Sequence, residues 1–239
     1  MKVDILAFGV HPDDVELGCG GAIISSIKQG KKVAVVDLTR GELGTRGTAE
    51  TRDAEAAEAG VILHLSAREN LQMEDGFFQI NESNILKVIV AIRKYQPEIL
   101  ICNAPSDRHP DHGRSAKLVL DASFLSGLLK IETTFEGELQ EAWRPKQVYQ
   151  YIQDELLEPD LIFDISQVYE QKTASILSYK TQFNAIDNGP QTYISSPQFL
   201  KIIEARAIEF GKRIGVEYAE GFIAQKALGV NSFDKFITK

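Results

Sequence analysis

The chain reads as an α/β protein built on a mostly parallel sheet, and three observations predict this. Short apolar runs alternate with amphipathic stretches of helical period. The first of these runs, Val3 to Val10, is nearly continuous, as in a strand covered on both faces. Two clusters rich in histidine and aspartate, His11-Pro12-Asp13-Asp14 and Asp107-Arg108-His109-Pro110-Asp111-His112, each follow a strand-like run. That puts both at the carboxyl edge of a sheet, where open α/β proteins bind their ligands.

The elements follow in order. Val3 to Val10 is too short for a long helix and forms a first strand, and Pro12 turns the chain out of the sheet. Leu17, Ala22, Ile23, Ile24 and Ile27 recur at helical spacing between Val15 and Gln29, and Gly30 stops that helix. Lys32 to Leu38 is a second strand. It runs into a charged, glycine-rich loop, Thr39 to Gly47, expected to be mobile and near substrate. Thr48 or Thr51 starts an alanine- and glutamate-rich helix through Glu58, Gly60 closes it, and Val61 to Leu65 is expected as a third strand.

Asn81 or Ser83 caps a helix from Ile85 to Tyr95, whose Ile85, Val88, Ile89 and Ile92 share a face. It leads into a strand at Ile99 to Asn103, the second motif and a helix spanning Ala116 to Phe124. Gln147 to Ile152 and Leu161 to Ile165 extend the sheet, with antiparallel pairing open to them. The polar segment from Phe183 to Pro197 is long enough for a lid or binding loop. A last amphipathic helix, Gln198 to Arg213, precedes Tyr218 to Phe222. Residues 1–239 are expected to form one domain, without repeats or low-complexity tracts.

Composition narrows the function. A net charge of −8 argues against nucleic-acid or acidic-membrane binding, while still allowing an anionic small substrate where arginines gather. With no leader-like or membrane-length apolar run, the expectation is a cytoplasmic protein. Cys19 and Cys102 are far apart and read as small buried residues.

The chemistry lies in the two clusters. A catalytic zinc needs three N, O or S ligands and one open position, and it lowers the pKa of water from about 15.7 to about 7. His11, Asp14 and His112 supply such a set, which makes amide hydrolysis feasible. Asp13 lies beside a ligand and is the candidate base, while His109, steered by Asp111, suits the oxyanion and the leaving amine.

Plainer readings compete. His64, within the expected third strand, is read as an ordinary core or surface histidine, and His-Pro and Asp-Pro clusters also make turns. Gly18, Gly20 and Gly21 lack the Gly-x-Gly-x-x-Gly pattern and point to close helix packing. Arg40, Arg46 and Arg52 fit solvated surface charges, whereas Arg108 is embedded in the second motif. A nucleotide- or methyl-donor-binding module and a non-catalytic metal-binding protein are the readings from other classes.

His11-Pro-Asp-Asp14 paired with Asp107-Arg-His-Pro-Asp-His112 resembles the zinc-dependent N-acetylglucosamine deacetylases of the PIG-L/LmbE-like family. Asp37 to Thr48, Tyr179 to Phe183 and Tyr218 to Phe222 resemble its bacillithiol-biosynthesis branch. The resemblance implies a Rossmann-like three-layer fold and hydrolysis of N-acetylglucosaminyl-malate to glucosaminyl-malate and acetate. It also implies that His11, Asp14 and His112 bind metal, that Asp13 is the base, and that Asp111 orients a charged His109. It offers Arg52 and Arg108 as holders of the malate carboxylates and Tyr193 as a further substrate contact. It further implies a homo-oligomer, commonly a hexamer, and a donor set that accepts ferrous iron as well as zinc. Related conjugates, including bacillithiol conjugates cleaved at their amide, are the alternative substrates.

Overall fold

Seven strands in the order β3-β2-β1-β4-β7-β9-β8 form the central sheet of the computed structural model, which describes residues 1–183, 189–232 and 234. The amino-terminal half alternates as expected: β1 (Ile5–Gly9), α1 (Asp14–Lys28), β2 (Val33–Thr39), α2 (Ala49–Leu63), β3 (Ala67–Met73), α3 (Glu82–Tyr95), β4 (Ile99–Cys102) and α4 (Pro110–Leu125). A small antiparallel hairpin, β5 (Thr134–Phe135) and β6 (Glu138–Leu139), stands apart from the sheet. There follow β7 (Gln147–Tyr151), β8 (Leu161–Asp164), a 3-10 turn at Ser166–Val168, α5 (Tyr169–Leu177), α6 (Lys180–Phe183), α7 (Pro197–Ile214) and β9 (Ala219–Ala224).

Strand β1 pairs in parallel with β2 on one side and β4 on the other, with Ala7 opposite both Val35 and Ile101. The chain winds outward through β2 and β3, then crosses back to β4. The reversal of strand order therefore falls between β1 and β4. A crevice opens at the carboxyl ends of such a strand pair, and both histidine motifs follow these two strands. β7 continues the parallel set, whereas β9 runs antiparallel to both β7 and β8.

The period of two along the strands divides the core between the two faces. Leu6, Phe8, Val36 and Leu100 pack with Val88, Ile89 and Ile92 of α3 and Leu118 and Val119 of α4. Ile5, Ala7, Val35 and Ile101 pack on the opposite face with Val15, Cys19, Ala22 and Ile23 of α1. The result is a three-layer α/β architecture, and both cysteines are buried and free. Gly18 and Gly21 serve the close packing expected of them. A Cβ would stand 2.2 Å from the Tyr151 ring at Gly18 and 2.7 Å from Ile165 at Gly21.

Caps resolve two open choices. Thr48 caps α2, with Thr51 completing a capping box, and Asn81 caps α3 by accepting from the Asn84 N–H at 2.9 Å. The expected strand at Val61 to Leu65 is corrected. Residues 61–63 continue α2, and His64 is its left-handed C-cap at φ 59°. Leu63 is buried with Ala56 and Ala59 on one helical face while Val61 is exposed, so the apolar run followed a 3.6 period rather than a 2 period. The true third strand is the polar edge strand β3, which carries no apolar run to announce it. β9 and α5 were also not anticipated. Of the expected lid at Phe183 to Pro197, residues 184–188 lie outside the described residues, while Thr192 to Ile194 line the pocket beside the two histidine motifs.

Candidate metal and active site

The backbone at the end of β1 is unusual before any side chain is considered. Asp13 has φ 121° and ψ −24°, a conformation that L residues rarely adopt. It is held there by Arg52 of α2, which donates to the Pro12 carbonyl and, at 3.0 Å, to Asp13 Oδ2. Both side chains are buried. Burial raises the Asp13 pKa from 3.8 to about 7, and the Arg52 charge only partly opposes this.

Asp14 opens α1 and turns back under the loop. Its Oδ2 accepts from the N–H groups of Val10 and His11 and from Asn103 Nδ2, each at 3.0 Å. Its Oδ1 accepts from Gln153 Nε2 at 2.7 Å and lies 3.2 Å from His112 Nε2. Burial works against its charge, yet the His112 and His11 rings and the loop N–H hold its pKa well below the usual carboxylate range.

His11 and His112 converge on this carboxylate. His11 Nδ1 is 3.8 Å from Asp14 Oδ2, and its Nε2 meets Asp75 Oδ1 at 3.0 Å and Asp111 Oδ2 at 3.6 Å. His112 Nδ1 is fixed by Asp107 Oδ2 at 2.5 Å. Burial lowers both imidazole pKa values, but the surrounding carboxylates outweigh it, lifting His11 to about 10 and His112 to about 9. One ring nitrogen from each of His11, His109 and His112 lies within 4.8 Å of the others, and His11, Asp75 and Asp111 form a second such group. Two imidazoles and a carboxylate, each anchored from behind by a hydrogen bond, fit a divalent first-row metal such as zinc.

His109 is the N-cap of α4 and half-buried over the same point, with Pro110 opening the helix. Its Nδ1 accepts the Asp111 backbone N–H at 3.3 Å, so the neutral ring carries its proton on Nε2. Burial and the neighbouring His11 and His112 charges depress its pKa. The Asp111 carboxylate, expected to orient His109, is engaged elsewhere. It accepts from the Gly76 N–H at 2.9 Å and from Arg114 at 2.7 Å, and it faces His11.

These groups form one wall of a pocket of about 320 Å³, closed on other sides by the Gly41 to Arg46 loop and by Thr192 to Ile194. Arg46 ties those two sides together through the carbonyls of Thr181, at 2.6 Å, and Pro190, at 3.1 Å. Arg108 and Tyr193 stand at the exposed rim, with the guanidinium 4.7 Å above the tyrosine ring. Arg52 also lines the pocket, but its hydrogen bonds run inward to Asp13 and Pro12. It thus clamps Asp13 and its loop through one terminal nitrogen while lining the pocket where it is expected to meet substrate carboxylates.

The PIG-L family model, described as GlcNAc-PI de-N-acetylase, matches residues 6–123, a span that includes both histidine motifs. A conserved protein from Thermus thermophilus has a structure that superposes with TM-score 0.84 at 34% identity, covering 96% of this chain and 98% of that one. The chain belongs to the PIG-L family of deacetylases. Diacetylchitobiose deacetylase of Thermococcus kodakarensis is 26% identical over 227 residues, 91% of this chain and 81% of that protein. N,N'-diacetylchitobiose deacetylase from Pyrococcus horikoshii, solved with its inhibitor MPG, shares the fold at TM-score 0.79 and 24% identity, covering 98% of this chain and 88% of that one.

For this PIG-L family member the structure brings every residue singled out in the sequence as a site residue to one pocket or its immediate backing. Sequence reasoning missed Asp75, Asn103, Gln153 and Asp154. Asp75 is 64 positions from the histidine it touches, and Gln153 is 139 positions from Asp14. No short-range spacing links such pairs. Asp75 follows β3, Asn103 follows β4, and Gln153 and Asp154 follow β7, so it is the observed topology that gathers them at the carboxyl edge.

Proposed function

We propose that the chain is a metal-dependent N-deacetylase acting on an N-acetylglucosamine conjugate, and that the conjugate is N-acetylglucosaminyl-malate on a route to bacillithiol. The observation that carries the reaction is the buried Asp13, with its pKa near 7, set beside the converging His11, Asp14 and His112. A zinc or ferrous ion held by those three residues would polarise the acetamide carbonyl and make water acidic enough to attack it.

The chain's own groups account for the proton movements. Asp13, its carboxylate anchored by Arg52, takes a proton from the attacking water. His109 donates a hydrogen bond from Nε2 to the developing oxyanion, and the proton that Asp13 took from water passes to the nitrogen as the C–N bond breaks, leaving acetate and a free amine. Asp107 and Gln153 keep His112 and Asp14 in place throughout.

The malate reading is favoured by Arg108. Its side chain is 48% exposed at the pocket rim, where a planar guanidinium can bind a carboxylate with two parallel hydrogen bonds. The test is acetate release from N-acetylglucosaminyl-malate and from N-acetylglucosamine, with wild type and Arg108→Ala. A wild-type preference for the malate conjugate that Arg108→Ala abolishes supports the reading. Equal turnover of both substrates would keep the reaction and discard the malate.

A further inference from the structure

Asp154 belongs to neither motif, yet it sits where three parts of the site meet. The turn after β7 carries it to the carboxyl edge of the sheet. Its backbone N–H donates to Asp107 Oδ1 at 3.1 Å, and its carbonyl accepts from Arg206 of α7. The backbone is therefore pinned both to the carboxylate that fixes His112 and to a helix of the outer layer. The side-chain oxygens are divided between the two rim residues. Oδ1 accepts the Tyr193 hydroxyl at 3.1 Å, and Oδ2 lies 3.4 Å from Arg108 Nε.

The consequence for Arg108 is directional. Among the described residues its guanidinium has one ionic partner, Asp154, reached through Nε, and the stack on Tyr193. The fork between its two terminal nitrogens is left open, and that fork matches the two oxygens of a carboxylate. A rim arginine that is already held loses less freedom on binding a ligand than one that moves freely.

We propose that Asp154 is a positioning residue that sets the preference of this site for conjugates bearing a carboxylate, by holding Arg108 and Tyr193 as one unit at the rim. The proposal rests on the reading of Arg108 as the carboxylate-binding group. Asp154 keeps its own distance from the ligand and acts through those two side chains.

The test is calorimetric binding of glucosaminyl-malate and of methyl glucosaminide to the metal-loaded protein, comparing wild type, Asp154→Ala and Asp154→Asn. The readout is the ratio of the two affinities, with metal content measured on each sample so that any effect relayed through Asp107 and His112 is seen separately. Asp154→Ala is expected to lower the ratio about tenfold, the scale of one charge-assisted hydrogen bond. Asp154→Asn is expected to keep it at or above the wild-type value, because the amide has the same shape, keeps an oxygen that can face Arg108 Nε and no longer repels the ligand carboxylates. An unchanged ratio in Asp154→Ala would overturn the proposal, as would equal losses in both variants. Wild type with no preference for the malate conjugate would refute the malate reading and the proposal together, whereas a wild-type preference that Asp154→Ala leaves unchanged would refute the proposal alone.

Discussion

The Asp107 carboxylate stands 2.5 Å from His112 Nδ1, and the opposite nitrogen of that ring faces Asp14 Oδ1 at 3.2 Å. Asp107 thus fixes which nitrogen of His112 is free to bind a metal. Carboxylates placed behind ligating histidines typically contribute about 10- to 100-fold in metal affinity. Asp107→Ala should weaken zinc binding by about that factor, measured by competition with a chelating dye. Wild-type affinity in the variant would detach Asp107 from the metal site.

Asp13 gives a different signature. Asp13→Asn should retain a full complement of metal while kcat/KM for deacetylation falls by about 10²- to 10⁴-fold, the usual range for a lost general base. Metal analysis alongside steady-state kinetics separates this outcome from loss of the metal. Undiminished kcat/KM would remove Asp13 from the mechanism.

The raised pKa values of His11, about 10, and His112, about 9, make metal binding pH-dependent. In the metal-free protein both rings are protonated near neutrality and paired with carboxylates. That pairing stabilises the metal-free fold below pH 6.5 and is lost as pH rises through about 9 to 10. A metal ligand must be unprotonated, so binding expels protons and the apparent affinity should climb from pH 6 to pH 9. Calorimetry at pH 7 in buffers of different ionisation enthalpy should show net proton release. Binding without proton exchange would contradict the histidine assignments.

The fold carries its own prediction at Gly18, where an added methyl group would fall 2.2 Å from the Tyr151 ring. Gly18→Ala therefore forces α1 or β7 to shift, and overpacking of this kind costs about 1–3 kcal/mol. A lowered midpoint in thermal or urea unfolding is the expected result. A variant as stable as wild type would show that the helix and strand separate without cost.

How much of this was legible in the sequence depends on the range of the interaction. His11, Asp13, Asp14, His109, Asp111 and His112 declared themselves because each motif is contiguous and follows a strand whose apolar run is visible. Core strands β1, β2 and β4 were readable for the same reason. β3 was not, because an edge strand carrying Arg68, Glu69, Asn70 and Gln72 has no apolar pattern, and Arg68 is there to pair with the buried Asp37 and Glu16. Arg52 was legible as a charge but not as the clamp on Asp13, since its target depends on how α2 lies over the β1 loop. Asp111 shows the same limit, because adjacency to His109 in sequence suggested a pairing that helix geometry directs to Gly76, Arg114 and His11.

The most direct measurement is acetate release from an N-acetylglucosamine conjugate by protein stripped with chelator and then reloaded with zinc or ferrous iron. A metal-dependent deacetylase role predicts no turnover by the stripped protein, recovery on reloading, and no recovery in Asp13→Asn despite bound metal. Deacetylation that continues in the stripped protein, or a reloaded wild type that releases no acetate, would contradict it.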